Sequence, residues 1–177
     1  ESFEYATMGD DRYYGGILYH GAHTGRFSGS GGNLNLQNLP RGEMFGVDLR
    51  SLISPKKGKK LVVVDLSQIE VRTLCWLAGD ESTLEEIKDS DDIYEAFAIR
   101  FGKWDKNKGV LKEEDPSLRH LVKTMVLGCG YSASAKKFAM ISDMEEAEAV
   151  KAVSLYRTKM NRVVSLWNKL QRELHVA

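Results

Sequence analysis

The segment from residue 61 to residue 72 constrains this chain more than any other. Its first four residues, Leu-Val-Val-Val, form an apolar and mostly β-branched run that ends at Asp65. Such a run predicts a buried β-strand, and the residues after Asp65 have the pattern of an amphipathic helix. An ionised aspartate at the end of a buried strand needs a partner, because burying it alone costs several kcal/mol. The sequence leaves two partners open: a metal ion, or the free backbone N–H groups of the helix that follows.

A second segment, residues 119–131, has helical periodicity and two different faces. An advance of about 100° per residue gives one stripe of Arg119, Lys123, Leu127 and Tyr131, opposite an apolar side formed by Leu121, Val122, Met125, Val126 and Cys129. Arg119 and Lys123 lie one helical turn apart in this arrangement. The pattern therefore predicts that these two cations face outward together.

Composition narrows the class of protein. The chain carries 25 basic and 25 acidic side chains, so its formal net charge is zero, which is unusual for a protein that binds a polyanion. The charges are nevertheless segregated, with acids concentrated in residues 80–95 and 143–148 and bases in residues 56–60, 103–112 and 119–137. A length of 177 residues suits one compact unit with a substantial core. A neutral total is thus compatible with one basic surface.

The cysteines and the apolar runs bear on the cellular compartment. Cys75 and Cys129 stand in apolar helical contexts and are predicted to be core residues, which supports neither a disulfide framework nor a thiolate metal cluster. No apolar run approaches the roughly 20 residues that span a bilayer, and the acidic first residues lack the basic start of a signal peptide. We expect a chain that is not secreted and acts in the cytoplasm, or in an organelle or nucleus if it is eukaryotic.

Helices dominate the predicted secondary structure, and the small strand content gives an α+β fold class. Helices are expected after Asp65 to about Ala78, from Asp91 or Asp92 to Phe101, from Pro116 through residue 131, and at 134–140, 144–153 and 155–174. The remaining segments are expected to be a short strand or hairpin in residues 1–19, an irregular connection at 21–46, a short strand or turn at 48–53, and a polar turn at 104–109.

Several short patterns occur in a fixed order along the chain. They are Thr-Gly-Arg-Phe-Ser at 24–28, Asn-Leu-Gln-Asn-Leu-Pro at 35–40, Asp-Leu-Ser-Gln-Ile-Glu-Val-Arg at 65–72, and the segment 119–131. The chain resembles the family A DNA polymerases, the DNA polymerase I family. In that family the first two patterns precede motif A, D-Y-S-Q-I-E-x-R, and motif B, R-x-x-x-K-x-x-x-[FY]-G-x-x-Y, follows it. The resemblance covers roughly residues 20 to 131.

This resemblance implies a fold and an activity. The fold would be part of a polymerase palm with a short antiparallel sheet, together with helical fingers. Residues 1–80 would form the partial palm with the DNA-contacting loop and motif A, and residues 81–177 the fingers with motif B. The reaction would be template-directed transfer of a deoxynucleotide to a primer 3′-end, with a two-metal magnesium site. Primer–template DNA and deoxynucleoside triphosphates would be the partners.

The resemblance also assigns roles to individual residues. Asp65 would be a catalytic metal ligand, with the backbone carbonyl of Leu66 beside it. Arg119 and Lys123 would bind the triphosphate, and Lys123 would also act in catalysis by offsetting the charge that builds on the pyrophosphate. The remaining nucleotide contacts would come from Gln68, Ile69, Glu70, Leu127 and Tyr131, with Glu70 crowding the 2′ position of the sugar. Primer–template contacts would come from Arg26, Asn35, Gln37 and Asn38.

The chain departs from the family pattern at several places. Leu66 replaces a tyrosine, Leu127 replaces an aromatic residue, and Tyr94 stands where a histidine is common. The loss of the aromatic ring at Leu127 predicts nucleotide binding that is weaker by ~1 kcal/mol. Tyr131 is expected either to pack near the templating base or to fill the core.

The sequence contains no His followed by Asp, so motif C, which carries the family's second metal-binding acid, is missing. We expect a fragment or a split subunit with little activity alone. The alternative is a non-catalytic DNA-binding or assembly module that keeps the surface without the chemistry. A single-subunit RNA polymerase is a weaker match, because Glu70 and residues 24–40 are typical of the DNA-polymerising branch.

Overall fold

The computed structural model describes residues 12–30, 35–40, 42–88 and 90–176. Contacts between Cα atoms divide the chain into two compact units, Glu1–Val64 and Asp65–Ala177. The elements, in chain order, are strands β1 (Gly16–Leu18) and β2 (Ser28–Ser30), and helices α1 (Ile69–Leu77), α2 (Glu81–Lys88), α3 (Ile93–Arg100), α4 (Leu111–Glu114), α5 (Pro116–Gly130), α6 (Ala135–Ser142), α7 (Glu146–Lys159) and α8 (Asn161–Val176). The predicted α+β fold class, largely helical with a short antiparallel sheet, is confirmed.

The first unit contains the sheet. β1 and β2 pair antiparallel with Gly16 opposite Ser30 and Leu18 opposite Ser28. β1 confirms the strand expected before residue 20, and the other residues of that expectation, 1–11, lie outside the described part. β2 falls within the connection that we expected to be irregular, so that expectation was wrong at these residues. The segment 48–53 takes the turn alternative.

The apolar run at residues 61–64 does not form the predicted buried strand. Leu61, Val62, Val63 and Val64 are 58%, 80%, 83% and 82% exposed and have no regular secondary structure. A strand is stabilised by hydrogen bonds to a neighbouring strand, and β-branched residues are favoured there only when they also pack against a surface. Among the described residues, no strand pairs with this run. Local sequence favours the strand, but its partner has to be supplied by tertiary structure.

The second unit is a helical bundle built around α5. The buried face of α5 consists of Val122, Met125, Val126 and Cys129, as its periodicity predicted. This face packs against α3, α6 and α7, and α1 also contacts it. Cys75 on α1 and Cys129 on α5 are both buried, which confirms their prediction as core residues. Burial raises the pKa of each thiol from 9.0 to about 11.

Helix boundaries follow local signals where those signals are strong. Asp92 caps α3 by accepting a hydrogen bond from the backbone N–H of Tyr94 at 3.1 Å, and Asp115 caps α5 in the same way through Leu118 at 2.8 Å. α1 ends before Gly79, whose φ of +64° lies in the left-handed region. These ends confirm the predicted helices after Asp65, at Asp92 and at Pro116.

One helical prediction is wrong, and two helices were not predicted. α7 runs through residue 154, where we expected a break, and the chain instead leaves the helix at Met160. Residue 154 is a serine without a glycine or proline nearby, so nothing local stops the helix there. The helices α2 and α4 were not predicted. α4 is one turn long, and the backbone N–H of Leu111 at its start donates to Glu95 Oε2 at 2.7 Å, a contact from a distant segment.

The residues described contain no helix with the length and apolar character that a membrane crossing requires.

Candidate nucleotide and nucleic-acid site

One face of α1, from its first residue to its last, and the end of α5 line one cavity of about 370 Å³. Four of the predicted nucleotide-binding residues are in its wall, namely Ile69, Glu70, Leu127 and Tyr131. The rest of the lining is largely apolar and comes from Val71, Thr73, Leu74, Leu77, Val126 and Gly130. The structure thus brings the motif A helix and the motif B helix together at one cavity. The cavity lining does not include four other predicted site residues, Asp65, Gln68, Arg119 and Lys123.

The motif A residues that line the cavity follow an unusual helix start. Gln68 is the N-cap residue of α1 in the left-handed conformation, with φ +49°, and its side chain makes no capping hydrogen bond. Asp65 lies three residues earlier, so the alternative that it caps this helix is wrong. The sharp turn at Gln68 places Ile69 and Glu70 in the first helical turn, where both are exposed beside the cavity.

Arg72 of motif A fixes this turn. Its Nε donates to the carbonyl oxygen of Ser67 at 3.2 Å, and its Nη2 donates to the carbonyl oxygen of Ile87 at 3.0 Å. The first bond holds the chain just before the helix, and the second joins α1 to the end of α2. Arg72 therefore has a structural role in positioning the residues around Glu70.

At the other end of the cavity, Tyr131 is 69% exposed, so it does not fill the core. Leu127, one turn earlier on α5, is half-buried and packs against the core cluster. The aromatic residue of the family pattern is thus replaced by a side chain that belongs partly to the core. The exposed ring at this end of the cavity is that of Tyr131.

Arg119 is not a free surface cation. Its Nε donates to Asp92 Oδ2 at 2.5 Å, its Nη2 donates to Asp92 Oδ1 at 3.3 Å, and its guanidinium lies 5.2 Å from the centre of the Tyr94 ring. The side chain of Arg119 is 27% exposed and that of Asp92 is 17% exposed. The prediction that Arg119 and Lys123 face outward together is therefore wrong for Arg119, because a carboxylate from α3 engages it.

Tyr94 links this ion pair to the cavity. Its ring is buried, and burial raises the pKa of its phenol. Arg119 lowers that pKa, whereas the carboxylates of Asp92 and Glu70 raise it. The same phenol is thus affected by the ion pair and by a carboxylate in the cavity wall. From the sequence, Asp92 or Asp91 was predicted only as a helix start, since nothing local to Asp92 indicates a contact with a residue 27 positions later.

Lys123 lies one turn after Arg119 and is exposed. Within the described ranges, no carboxylate lies at salt-bridge distance from its ammonium group. Among the residues that the structure describes, Lys123 thus has no carboxylate to neutralise it, whereas Arg119 is paired with Asp92.

Asp65 and Leu66 are both exposed and precede α1 without regular secondary structure. Among the residues described, no group of three or more histidine, cysteine, aspartate or glutamate side chains could hold a metal ion. A single accessible carboxylate still suits magnesium, because that ion is often held by one or two carboxylates together with water and substrate phosphates. Asp65 therefore suits a magnesium ion that is shared with substrate phosphates and water better than one enclosed entirely by protein ligands.

The predicted DNA-contacting residues lie in the first unit. Arg26, Gln37 and Asn38 are exposed and line a second cavity of about 430 Å³ together with Gly25 and Phe27. Asn35 does not line it. Its side-chain oxygen instead accepts a hydrogen bond from the backbone N–H of Gln37 at 3.0 Å and caps the 3-10 turn Leu36–Asn38. Asn35 thus holds the turn that carries Gln37 and Asn38.

The sequence of this chain matches a known family over nearly its whole length. The sequence profile of DNA polymerase family A matches residues 3–176. The chain belongs to DNA polymerase family A.

Several DNA polymerases are similar to this family A chain in sequence. It is 35% identical over 134 residues to the thermostable DNA polymerase I of Thermus thermophilus, covering 75% of this chain and 15% of that protein. It is 31% identical over 151 residues to DNA polymerase I of Synechocystis, covering 85% of this chain and 14% of that protein. A DNA polymerase of Bacillus phage SP02 is 27% identical over 199 residues, covering 94% and 30%. The chain thus spans less than a third of each of these relatives.

The fold of this family A chain also has a solved counterpart. The polymerase domain of Pol1 from M. smegmatis, in complex with DNA primer-template and dNTP, matches 97% of this chain with a TM-score of 0.77 and 24% identity. The match covers 29% of that chain. At this level of identity the likeness supports the fold, and the roles of individual residues depend on the geometry described above.

Proposed function

We propose that this chain supplies the motif A and motif B walls of the nucleotide site in a template-directed DNA polymerase. In this proposal residues 1–80 belong to the palm and residues 81–177 to the fingers. The observation that carries the proposal is the shared cavity, to which motif A contributes Ile69 and Glu70 and motif B contributes Leu127 and Tyr131. Two motifs that are distant in sequence meet where a nucleotide would be bound between them.

The charged groups suit a triphosphate. Lys123 would offer an ammonium group that no described carboxylate neutralises, and Arg119 would offer the part of its guanidinium that Asp92 does not use. Charge-assisted hydrogen bonds of this kind stabilise a triphosphate and also the negative charge that develops on the pyrophosphate in the transition state. Lys123 would therefore contribute to both binding and rate.

Around the sugar and base, Glu70 would crowd the 2′ position and so favour deoxynucleotides, while the exposed ring of Tyr131 would lie near the templating base. Leu127 would offer an apolar contact of smaller area than an aromatic ring. Gln68 would act through its backbone, since its left-handed conformation aims the next two residues at the cavity.

A magnesium ion would be shared between this chain's Asp65 and the substrate phosphates, with the carbonyl of Leu66 as a second protein donor. When bound, such an ion neutralises phosphate charge and orients the reacting oxygens. Asp65 is accessible for this role because it is exposed and caps no helix. In the first unit, Arg26, Gln37 and Asn38 would contact primer–template, and Asn35 would hold their turn in place.

The test is titration of a deoxynucleoside triphosphate onto the full-length protein with bound primer–template, with and without magnesium. We expect magnesium to tighten nucleotide binding in the unaltered protein, and Asp65→Asn to remove most of that effect. Asp105→Asn, a change at another exposed aspartate, should leave the effect intact. Primer extension measured in parallel should fall with Asp65→Asn.

The competing function is a DNA-binding or assembly module without chemistry. The observation that favours it is the ion pair between Asp92 and Arg119, which engages one of the two cations proposed to bind the triphosphate. Such a module would bind primer–template normally and show no dependence of nucleotide affinity on Asp65. That result, in a protein whose binding of primer–template is intact, would overturn the polymerase proposal.

A further inference from the structure

The contact between Asp92 and Arg119 leaves a defined part of the guanidinium unused. Asp92 engages Nε and Nη2, which form one edge of the planar group. The Tyr94 ring lies against the guanidinium at 5.2 Å, measured to the ring centre. An arginine carries five N–H donors, and this arrangement uses one on Nε and one on Nη2. Three N–H groups remain, and two of them, one on Nη1 and one on Nη2, are parallel along the edge formed by these two nitrogens.

That remaining edge has the geometry of a phosphate-binding fork. Two parallel N–H groups of a guanidinium bind two oxygens of one phosphate or carboxylate at once. Asp92 occupies the other edge of the same group, so the ion pair and a phosphate do not compete for the same donors. The ion pair holds Arg119 in place and leaves its phosphate-binding edge available.

Asp92 is itself fixed to the backbone. The oxygen Oδ1 that accepts from Nη2 of Arg119 also accepts from the backbone N–H of Tyr94 at 3.1 Å, which caps α3. Its side chain is only 17% exposed, which limits its freedom to swing into solvent. Asp92 therefore holds the Arg119 guanidinium of α5 at a fixed position relative to the first turn of α3.

We propose that Asp92 is a positioning residue for nucleotide binding, which holds the Arg119 guanidinium over Tyr94 so that its Nη1–Nη2 edge binds the triphosphate. This inference rests on the proposed function of Arg119. Without the carboxylate, Arg119 rotates among several rotamers, and binding of the triphosphate carries the cost of ordering it. Preorganisation of the guanidinium thus strengthens nucleotide binding without a direct contact between Asp92 and the nucleotide.

The informative substitution is Asp92→Asn. Asparagine is as good an N-cap as aspartate, so the start of α3 is retained while the charge and one acceptor facing Arg119 are lost. Nucleotide affinity is measured for four forms of the full-length protein with bound primer–template: unaltered, Asp92→Asn, Arg119→Ala, and the double variant. We expect Asp92→Asn to weaken affinity for the triphosphate about tenfold in the presence of Arg119, the scale of a lost charge-assisted bond.

The double variant separates positioning from a general structural effect. If Asp92 acts through Arg119, Asp92→Asn should produce less than about a twofold change once Arg119 has been replaced by alanine. Asp105→Asn is the matched control, because Asp105 also caps a short helical segment through its side chain but pairs with no arginine in the described contacts. It should change nucleotide affinity in neither background. Thermal unfolding of each variant verifies that α3 remains folded.

The outcomes distinguish the two proposals. If Arg119→Ala leaves nucleotide affinity unchanged, the proposed role of Arg119 fails, and with it the basis for this inference. If Arg119→Ala weakens binding while Asp92→Asn has no effect, or has the same effect in both backgrounds, positioning by Asp92 is overturned and the role of Arg119 stands. If Asp92→Asn tightens binding, Asp92 competes with the triphosphate for Arg119, which also contradicts positioning.

Discussion

Glu70 in the first turn of α1 and Tyr131 just after α5 line the same cavity, although they belong to different sequence motifs. The sequence patterns assign each residue to a nucleotide site, and the packing of α1 against α5 puts both at the same one. The electrostatic effect of Glu70 on the buried Tyr94 extends this neighbourhood to the Arg119–Asp92 ion pair. These relationships lead to predictions that single substitutions can test.

Glu70→Ala should relax the selection of deoxynucleotides. Removing the carboxylate opens space beside the sugar, and we expect the preference for deoxy- over ribonucleotides to fall about tenfold, the usual scale of a small steric change in a pocket. The measurement is incorporation, or binding, of matched deoxy- and ribonucleotides by the full-length protein. Glu81→Ala is the matched control, since Glu81 is also an exposed acid in the first turn of its helix. If Glu70→Ala leaves this preference unchanged, Glu70 does not select the sugar of the nucleotide.

Lys123→Ala should weaken binding of the triphosphate by about tenfold or more, because a charge-assisted contact to phosphate is lost. Lys123 is exposed and has no carboxylate partner among the described residues, so its replacement should not destabilise the fold. Nucleotide affinity and thermal unfolding are measured together. Lys151→Ala, on the exposed face of α7, removes the same charge elsewhere. If the two variants weaken binding equally, the effect comes from the lost net charge, and Lys123 does not contact the triphosphate.

Gly79→Ala should destabilise the second unit by about 1 kcal/mol, the cost of placing a side chain in the left-handed region. Gly79 has φ +64°, and a Cβ there would meet nothing within 4 Å, so the cost comes from the backbone alone. Gly130→Ala is the control, because its Cβ would meet Leu74 Cδ2 at 3.5 Å and Tyr156 Oη at 3.8 Å, which are ordinary contacts. Chemical denaturation measures both. A larger loss of stability in Gly130→Ala than in Gly79→Ala would contradict this account.

The buried thiols predict a loss of stability in alkaline solution. Burial raises the pKa of Cys75 and of Cys129 from 9.0 to about 11, so between these values the unfolded chain releases a proton that the folded chain keeps. The stabilisation is complete below pH 9 and is lost as the pH rises toward 11, by up to about 3 kcal/mol for each thiol.

The measurement is the free energy of unfolding from pH 8 to pH 11 for the unaltered protein and for Cys75→Ala. The variant should be less stable at pH 8, because it loses packing in the core, and its stability should fall less steeply as the pH rises. Parallel pH profiles would show that the Cys75 thiol does not contribute to alkaline unfolding.

Much of the second unit follows from local sequence. Asp92 and Asp115 are acids that precede helical periodicity, and Gly79 follows it, so the starts of α3 and α5 and the end of α1 can be recognised without knowledge of the fold. The buried face of α5 likewise follows from the spacing of its apolar residues along the sequence. The motif residues Ile69, Glu70, Leu127 and Tyr131 could therefore be identified before their common cavity was known.

Other features depend on which segments meet in space. Residues 61–64 have the composition of a strand yet remain exposed, because a strand requires hydrogen-bonding neighbours that its own sequence does not specify. Arg119 has the spacing of an outward-facing cation yet pairs with Asp92, because α3 packs against α5. By itself the sequence determined the family, most of the helices and the candidate residues. Tertiary structure decided which charges are neutralised and which apolar residues are covered, since both depend on contacts between distant segments.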